Sequence, residues 1–380
     1  MPVSDEGTPV HVIGAGPAGL ATAAALRERR ISSVVLEKSP SVGATWRAQY
    51  DRLRLHTTRR WSALPGLPIP RPAGRWVHRD DFVAYLERYT EHHGIEVATG
   101  VEVDTVERRG ERWTLHANGG RRLTAPVVVI ATGHSHTAHL PPWPGRESFT
   151  GDLLHASRYR SPGPYADRDV LVVGAGNTGT ELALDLAEGG ASRVRLAVRT
   201  PPHLTRRSTL GWPAQASGVL CRRLPAALAD GLAARAPRSS ATDLSAHGLP
   251  RPGTGPYTRA GQGAHPVRDT GFVRAVREGR VEVVAAVESF EGPAVRLADG
   301  EEIKPDTVVA ATGYRSGLEE LVGHLGVLGD DGLPLRPGPR AHPAAPGLFF
   351  TGFTHPVSGL LREIARTAPR VARAIDRATA

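Results

Sequence analysis

The chain alternates short apolar runs with amphipathic stretches, and that alternation sets out its elements. Residues 8–13 are an apolar run that stops at Gly14 and predict a strand. Residues 17–30 gather Ala18, Leu20, Ala21, Ala24, Ala25 and Leu26 into an apolar face and predict a helix. Val34, Val35 and Leu36 predict a second strand, ending at Glu37. Residues 80–93 predict a helix capped by Asp80 and stopped before Gly94. Segments 95–106 and 111–117 alternate as strands, and Val127 to Ile130 predicts a buried strand running into Ala131, Thr132 and Gly133. Pro141, Pro142 and Pro144 make a rigid connection, read as a crossing between domains. The opening pattern then returns: strand 169–173 stops at Gly174, helix 178–188 follows, and strand 193–198 stops at Arg199. Residues 200–265 show no clean period apart from a short helix near 222–235, and read as irregular and substrate-facing. Strand 281–287, a hairpin over 294–303, strand 306–311, a segment at 347–352 and a helix over 358–376 complete the pattern. Ala311-Thr312-Gly313 echoes Ala131-Thr132-Gly133, which predicts a discontinuous outer domain (1–155 and 305–380) with a second domain (165–304) inserted into it.

Composition narrows the class. A chain of 380 residues has room for two domains. No apolar run reaches the roughly 18–20 residues of a spanning helix, and the polar, acidic start is unlike a signal peptide. Cys221 is the only cysteine, which excludes a disulfide framework, a zinc knuckle and a CxxC redox pair within one chain. The expectation is a reduced, cytoplasmic protein with no metal and no membrane insertion, as a monomer or homodimer. The formal charge of +9 raises nucleic acid as a partner, but the arginines form no basic arm. No nucleic-acid partner is expected, because anionic dinucleotides are served by the same field.

The two strand–helix–strand units carry the chemistry. Gly14-Ala15-Gly16-Pro17-Ala18-Gly19 fits a dinucleotide loop: Gly14 for the tight turn, Gly16 for close approach of a pyrophosphate, Gly19 for helix–strand packing. The phosphates would lie on free N–H groups at the helix start. Glu37, at the end of the second strand, can accept from an adenosine ribose and repels a 2′-phosphate, which suits FAD or NAD. Gly174, Gly176 and Gly179 repeat the loop, with Asn177 and Thr178 inside it, but Arg199 and Thr200 stand where the acid stood. A guanidinium fork suits a 2′-phosphate, so this loop suits NADPH, with Arg206 and Arg207 as further candidates. The alternative for Arg199 is a solvated strand-end charge.

These residues resemble the flavin-containing monooxygenases, and within them the YUCCA-type indole-pyruvate monooxygenases. Phe149-x-Gly151-x-x-x-His155-x-x-x-Tyr159 matches that family's signature, Gly43-Ala-Thr-Trp46 resembles its Gly-x-x-Trp, and Ala311-Thr312-Gly313-Tyr314 its ATGY motif. Leu55-His56 with Leu64-Pro65, Gly248 to Pro252, Pro266 to Gly271, and Gly352-Phe353-Thr354 resemble other family segments, so the likeness spans nearly the whole chain. It implies an α/β fold with two Rossmann-like domains: a discontinuous FAD domain and an inserted NADPH domain. It implies a monooxygenase in which NADPH reduces FAD, a C4a-(hydro)peroxyflavin forms with O2, and one oxygen atom enters a small organic substrate. Soft nitrogen or sulfur, or an α-keto acid or carbonyl with decarboxylation, both remain open as targets. It extends cofactor contact to Lys38, Thr45, Trp46, His56, Val103, Ala131, Thr132, Gly133, Arg207, Thr312, Gly313, Tyr314, Gly352 and Phe353.

His56, His155 and Asn177 are the catalytic candidates. His56 is read as a donor near the flavin or as a packing residue. His155 orders the interdomain crossing or is a satisfied structural histidine, and Asn177 contacts the nicotinamide or only completes the turn. Tyr159 stands where Baeyer–Villiger enzymes of the family carry tryptophan, which counts against ketone-to-ester chemistry. Arg206, Arg207, Trp212 and Tyr257 would suit an acid bearing a ring. The alternatives are an NADPH-dependent flavoprotein reductase without oxygen insertion and a non-catalytic nucleotide sensor.

Overall fold

The computed structural model describes residues 8–209, 211–222, 224–235, 243–261, 263 and 266–379. The N-terminal residues read as polar and acidic, and parts of the irregular 200–265 stretch, lie outside the described residues. The chain divides into two compact α/β units. Unit 1 holds residues 1–48, 57–137 and 314–380, and unit 2 holds 49–56 and 138–313.

Unit 1 begins with β1 (Val10–Ile13), α1 (Pro17–Arg27) and β2 (Ser33–Glu37). It continues through α2 (Arg79–His92), β3 (Val97–Thr99), β4 (Val103–Arg109), β5 (Arg112–Ala117), β6 (Arg121–Ala125) and β7 (Val128–Ile130). A five-stranded parallel sheet runs in the order Leu348–Phe350, β7, β1, β2, β3. Strands β4, β5 and β6 form a separate antiparallel sheet. Ile13, Leu36, Trp113, Leu115, Ile130, Leu318 and Phe350 share one core. The C-terminal helix Leu360–Thr379 packs on α1, and Arg29 pairs with Asp376 there. The cap of α2 differs from expectation: His78, not Asp80, is the N-cap, its Nδ1 accepting from the Asp80 N–H at 3.3 Å.

Unit 2 contains β8 (Asp152–His155), β9 (Asp169–Val173), α3 (Asn177–Glu188), β10 (Arg193–Ala197) and β11 (Leu204–Arg206). Next come α4 (Ala214–Cys221), α5 (Ala226–Arg235), β12 (Val267–Asp269) and α6 (Phe272–Arg277). Then follow β13 (Glu282–Val284), β14 (Val287–Glu291), β15 (Ala294–Leu297), β16 (Glu302–Ile303) and β17 (Thr307–Ala310). Its parallel sheet runs β13-β10-β9-β17-β8. Alternate residues of β9 serve opposite faces: Val170 and Val172 join a core with Leu182, Leu196 and Phe272, while Leu171 and Val173 pack with Phe290, Val295 and Val308. A sheet covered on both faces explains why β9 and β17 read as unbroken apolar runs.

Two strands lie in a different unit from the one expected. Asp152–His155 and Thr307–Ala310, assigned from sequence to the first domain, pair with each other, and Thr307–Ala310 pairs also with β9, in the second sheet. The boundaries therefore fall near 137 and 313 rather than at 155 and 305. Residues 49–56, also assigned to the first domain, belong to unit 2. The short helix expected near 222–235 is α5, and α4, which precedes it, was not expected.

Candidate active site

The two glycine loops are near copies. Gly14 has φ +106° and Gly174 φ +111°, a region that favours glycine. A Cβ on Gly19 would sit 1.9 Å from the Gly14 carbonyl oxygen, and one on Gly179 would sit 1.8 Å from that of Gly174. Both helices are thus seated on the loop that precedes them, while a Cβ on Gly16 or Gly176 would meet nothing within 4 Å. Each loop therefore has one open edge where a phosphate can approach the backbone. Pro17 occupies the first turn of α1, where a missing N–H costs nothing.

Around the first loop, Glu37 is buried at 9% exposure and ties the loop to the strand end. Its Oε2 accepts from the Ala15 N–H at 2.8 Å and its Oε1 from the Ser39 N–H at 2.9 Å. Each oxygen retains acceptor capacity for a further donor. Ala131 donates to the Ile13 carbonyl at 2.9 Å, which sets the Ala131-Thr132-Gly133 turn beside the loop. Gly352 packs against Ala18, and Thr351 donates from its backbone to Ile130 at 2.9 Å. The hydroxyls of Thr132 and Thr351 are buried without a hydrogen-bond partner among the described residues. Trp46 meets Phe82 edge-on at 4.8 Å, in the short helical turn Ala44–Arg47 that also carries Thr45. Lys38 Nζ lies 3.2 Å from His136 and 3.6 Å from Glu102. Val103 packs, part-buried, on the unit 1 core, and Phe353 lies in it.

The signature segment is the frame of unit 2. Phe149 packs on Phe290 at 5.3 Å, and a Cβ on Gly151 would strike the Asp306 carbonyl at 2.7 Å. His155 is 4% exposed. Its Nε2 donates to the Gly313 carbonyl at 2.9 Å while Nδ1 accepts from the Ser157 N–H at 3.1 Å. Those partners fix one neutral tautomer, and burial holds its pKa low. Both nitrogens are committed, so in this arrangement His155 is a tether between β8 and the Ala311-Thr312-Gly313 turn, not a free base. Thr312 Oγ1 donates to the His139 carbonyl in the same turn. Tyr159, fully buried, donates to Asp185 at 2.7 Å.

Beside the second loop lies a cluster that sequence reasoning saw only in part. Asn177 opens α3, and its Oδ1 accepts from the Arg268 N–H at 2.8 Å, joining β12 to the loop. One turn on, Glu181 is buried and accepts from the Tyr50 hydroxyl at 2.5 Å. Glu181 Oε1 lies 3.7 Å from His56 Nδ1 and 3.8 Å from Arg207 Nη2. Burial, with Arg207 and Arg268 nearby, pushes His56 down to about 3, so the imidazole is neutral. Burial raises the Glu181 carboxyl and the Tyr50 phenol. His56 is set within unit 2 against α3. Arg199 and Thr200 are exposed at the end of β10, and no acid pairs with Arg199 among the described residues. Arg206 is exposed as well. Glu181 had a signal in its place one turn after the loop. Arg268 and Tyr50 had none, because only tertiary packing brings them to Asn177 and Glu181.

Residues 11–212 match the family described as pyridine nucleotide-disulphide oxidoreductase. Indole-3-pyruvate monooxygenase YUCCA1 of Oryza sativa subsp. japonica is 36% identical over 349 residues, 90% of this chain and 86% of the relative. Probable indole-3-pyruvate monooxygenase YUCCA1 of Arabidopsis thaliana is 33% identical, over 90% of this chain and 84% of its own. The chain belongs to the flavin-containing monooxygenases, most similar to the YUCCA type. A solved flavin-containing monooxygenase from Stenotrophomonas maltophilia matches with a TM-score of 0.75 and 25% identity, covering 98% of this chain and 99% of that chain. This monooxygenase thus has the two-domain dinucleotide-binding fold. FAD and NADPH are the cofactors of the family, and the residues present fit two dinucleotides. Each loop has an open glycine edge, the first is flanked by two unpartnered buried hydroxyls, and the second has an exposed guanidinium at its strand end. Among the described residues no group of ligating side chains could hold a metal, and no helix is long and apolar enough to cross a membrane.

Proposed function

We propose that this enzyme binds FAD at the Gly14–Gly19 loop and NADPH at the Gly174–Gly179 loop and inserts one atom of O2 into a small organic substrate. The observation that carries the assignment is the inequality of two otherwise matching loops. Glu37 presents a carboxylate to the ribose of the first dinucleotide, where a 2′-phosphate would be repelled. Arg199, with Thr200, presents donors at the second, where a 2′-phosphate would be held. Bound FAD, once reduced by NADPH, supplies the oxygen-activating chemistry. The chain's own residues bind, orient and exclude water. Thr132, Thr351 and the N–H groups at the start of α1 hold the first cofactor, and Asn177 and Thr178 border the second. His155 keeps the Gly313 turn fixed, and neutral His56 offers a ring without a charge.

The relatives' names point to an α-keto acid as the first substrate class to try. The test is a coupled assay on purified holoenzyme with NADPH, O2 and a panel of aryl-pyruvates, amines and sulfides. The proposal expects oxygenated product in proportion to NADPH consumed for at least one class. NADPH oxidation that yields only hydrogen peroxide with every class would favour the reductase reading.

A further inference from the structure

Beside the second loop, two buried polar atoms lie 3.7 Å apart: Glu181 Oε1 and His56 Nδ1. Neither has a hydrogen-bond partner among the described residues. Burying a polar atom without a partner costs free energy, and folded proteins rarely leave one so. The gap is about 1 Å longer than a charge-assisted hydrogen bond. Catalytic hydrogen bonds are often long in a free enzyme and close when the site is loaded.

The surroundings prepare Glu181 as an acceptor. It lies on α3 one turn after Asn177 and is 6% exposed. Its other oxygen, Oε2, accepts from the Tyr50 hydroxyl at 2.5 Å, which sets the plane of the carboxylate and leaves Oε1 for a further donor. Arg207 Nη2 lies 3.8 Å from that same Oε1. Burial pushes the Glu181 carboxyl up, against Tyr50, Arg207 and Arg52, which favour the anion; Asp185 adds to the burial effect. Asp185 itself takes the Tyr159 hydroxyl at 2.7 Å and Arg52 at 3.1 Å. Burial, then Arg207 and Arg268, keep the His56 ring neutral. A neutral imidazole has one N–H and one bare nitrogen, and an anionic oxygen on one side selects which is which.

We propose that Glu181, oriented by Tyr50, is the positioning residue of His56: in the loaded site its Oε1 takes the His56 Nδ1–H and so fixes the tautomer. His56 then presents a bare Nε2 as acceptor for an N–H or O–H of the bound cofactor or substrate. Its side chain keeps 29% of its surface exposed for that contact. The proposal rests on the oxygenase reading above for the reaction that His56 serves, but not for the pair. A ring oriented by a carboxylate with a third group behind it is the general plan of an activated site. Tyr50, His56 and Glu181 all belong to unit 2, so the contact is internal to that unit.

The test reads the ring directly. Histidine labelled with nitrogen-15 is followed by NMR in oxidised holoenzyme with NADP⁺ near neutral pH, and the signal lost in H56Q is that of His56. Wild type is expected to carry hydrogen on Nδ1, with Nε2 bare. E181Q removes the charge and is expected to move both ring nitrogens toward the averaged positions of a mixed tautomer. Hydrogen on Nε2 in wild type, or ring signals that E181Q leaves unmoved, overturns the proposal. The second arm is the initial rate of NADPH oxidation in air, with NADPH and O2 as the only substrates. E181Q and H56Q should each lower kcat about tenfold, the loss of a charge-assisted bond, with KM for NADPH within about twofold. Because Glu181 acts through His56, the double variant should be no slower than H56Q alone. Losses that multiply in the double variant place the action of Glu181 elsewhere and overturn the proposal. Y50F falls between wild type and E181Q in both arms, and wild-type behaviour there overturns the role given to Tyr50. If E181Q fails to fold by its melting curve, E181D, which draws the carboxylate back by one methylene, decides by the same criteria. A His56 ring that meets the NMR expectations in an enzyme that makes no oxygenated product sinks the oxygenase reading alone.

Discussion

Replacing Arg199 by alanine is expected to erase most of the preference for NADPH over NADH. Arg199 is exposed at the end of β10, has no acid partner among the described residues, and lies outside the cores of unit 2. Its loss therefore removes no packing and orphans no buried group, and the effect reads directly on the ligand. A hydrogen bond to a charged group contributes about 1.5–3 kcal/mol. Solvent screening at an exposed site favours the lower end, about 1.5–2 kcal/mol. That is roughly a 10- to 30-fold fall in kcat/KM for NADPH, since each 1.36 kcal/mol is tenfold. NADH lacks the 2′-phosphate and should change by no more than about twofold, within the range of surface substitutions. The assay is initial-rate oxidation of each nucleotide by wild type and R199A, compared as the ratio of the two kcat/KM values. A ratio that survives the substitution, or a wild type that prefers NADH, would refute the assignment of the second loop.

Three further outcomes follow from the geometry. Glu37→Ala strips the Ala15 N–H of its 2.8 Å acceptor and removes the ribose partner, so flavin retained per protein after gel filtration should fall; undiminished flavin content would count against the first loop as the FAD site. Tyr159→Phe removes a buried bond to Asp185 but leaves Arg52 on that carboxylate and the ring stacked on Tyr165 at 5.4 Å. The cost should be about 1–2 kcal/mol, read as a fall of several degrees in Tm; no shift would show that Asp185 is satisfied without the tyrosine. His56→Gln should flatten the acid limb of the stability–pH curve. The folded pKa of about 3 lies below the ordinary 6.5, so between those values the unfolded chain binds more protons and stability falls with acidification. From pH 7 to pH 5 the loss is at most about 2 kcal/mol, less because the side chain keeps 29% of its surface exposed. The raised Glu181 carboxyl acts in the opposite sense, losing stability as pH rises. Urea melts at several pH values test this, and identical limbs in wild type and variant would refute it.

The local chemistry of both loops was legible because glycine is demanded at positions where a Cβ would strike a carbonyl, as at Gly19 and Gly179. The second unit's strand, helix and strand were legible for the same reason that β9 is stable: uninterrupted apolar runs bounded by turns. What sequence could not supply was which sheet a strand joins. Val308 and Val309 look alike in either sheet, and only pairing with β8 and β9 settles their place. Residues 49–56 have no period at all, so nothing local announced that Tyr50 and His56 would meet Glu181. The α2 cap was misplaced because both His78 and Asp80 carry acceptors, and the choice depends on backbone conformation.

The contrast between the loops goes beyond the identity of one residue. Glu37 is buried and held by two backbone donors, so its orientation is set before any ligand arrives. Arg199 is exposed and must lose rotamer freedom when it grips a phosphate. A site with its recognition group already fixed binds without that ordering cost, and a site that must order a flexible side chain binds more weakly for the same contacts. In the proposed cycle one dinucleotide stays with the enzyme and the other exchanges each turnover. Under that proposal the pinned carboxylate serves the retained dinucleotide and the solvated guanidinium the exchanging one.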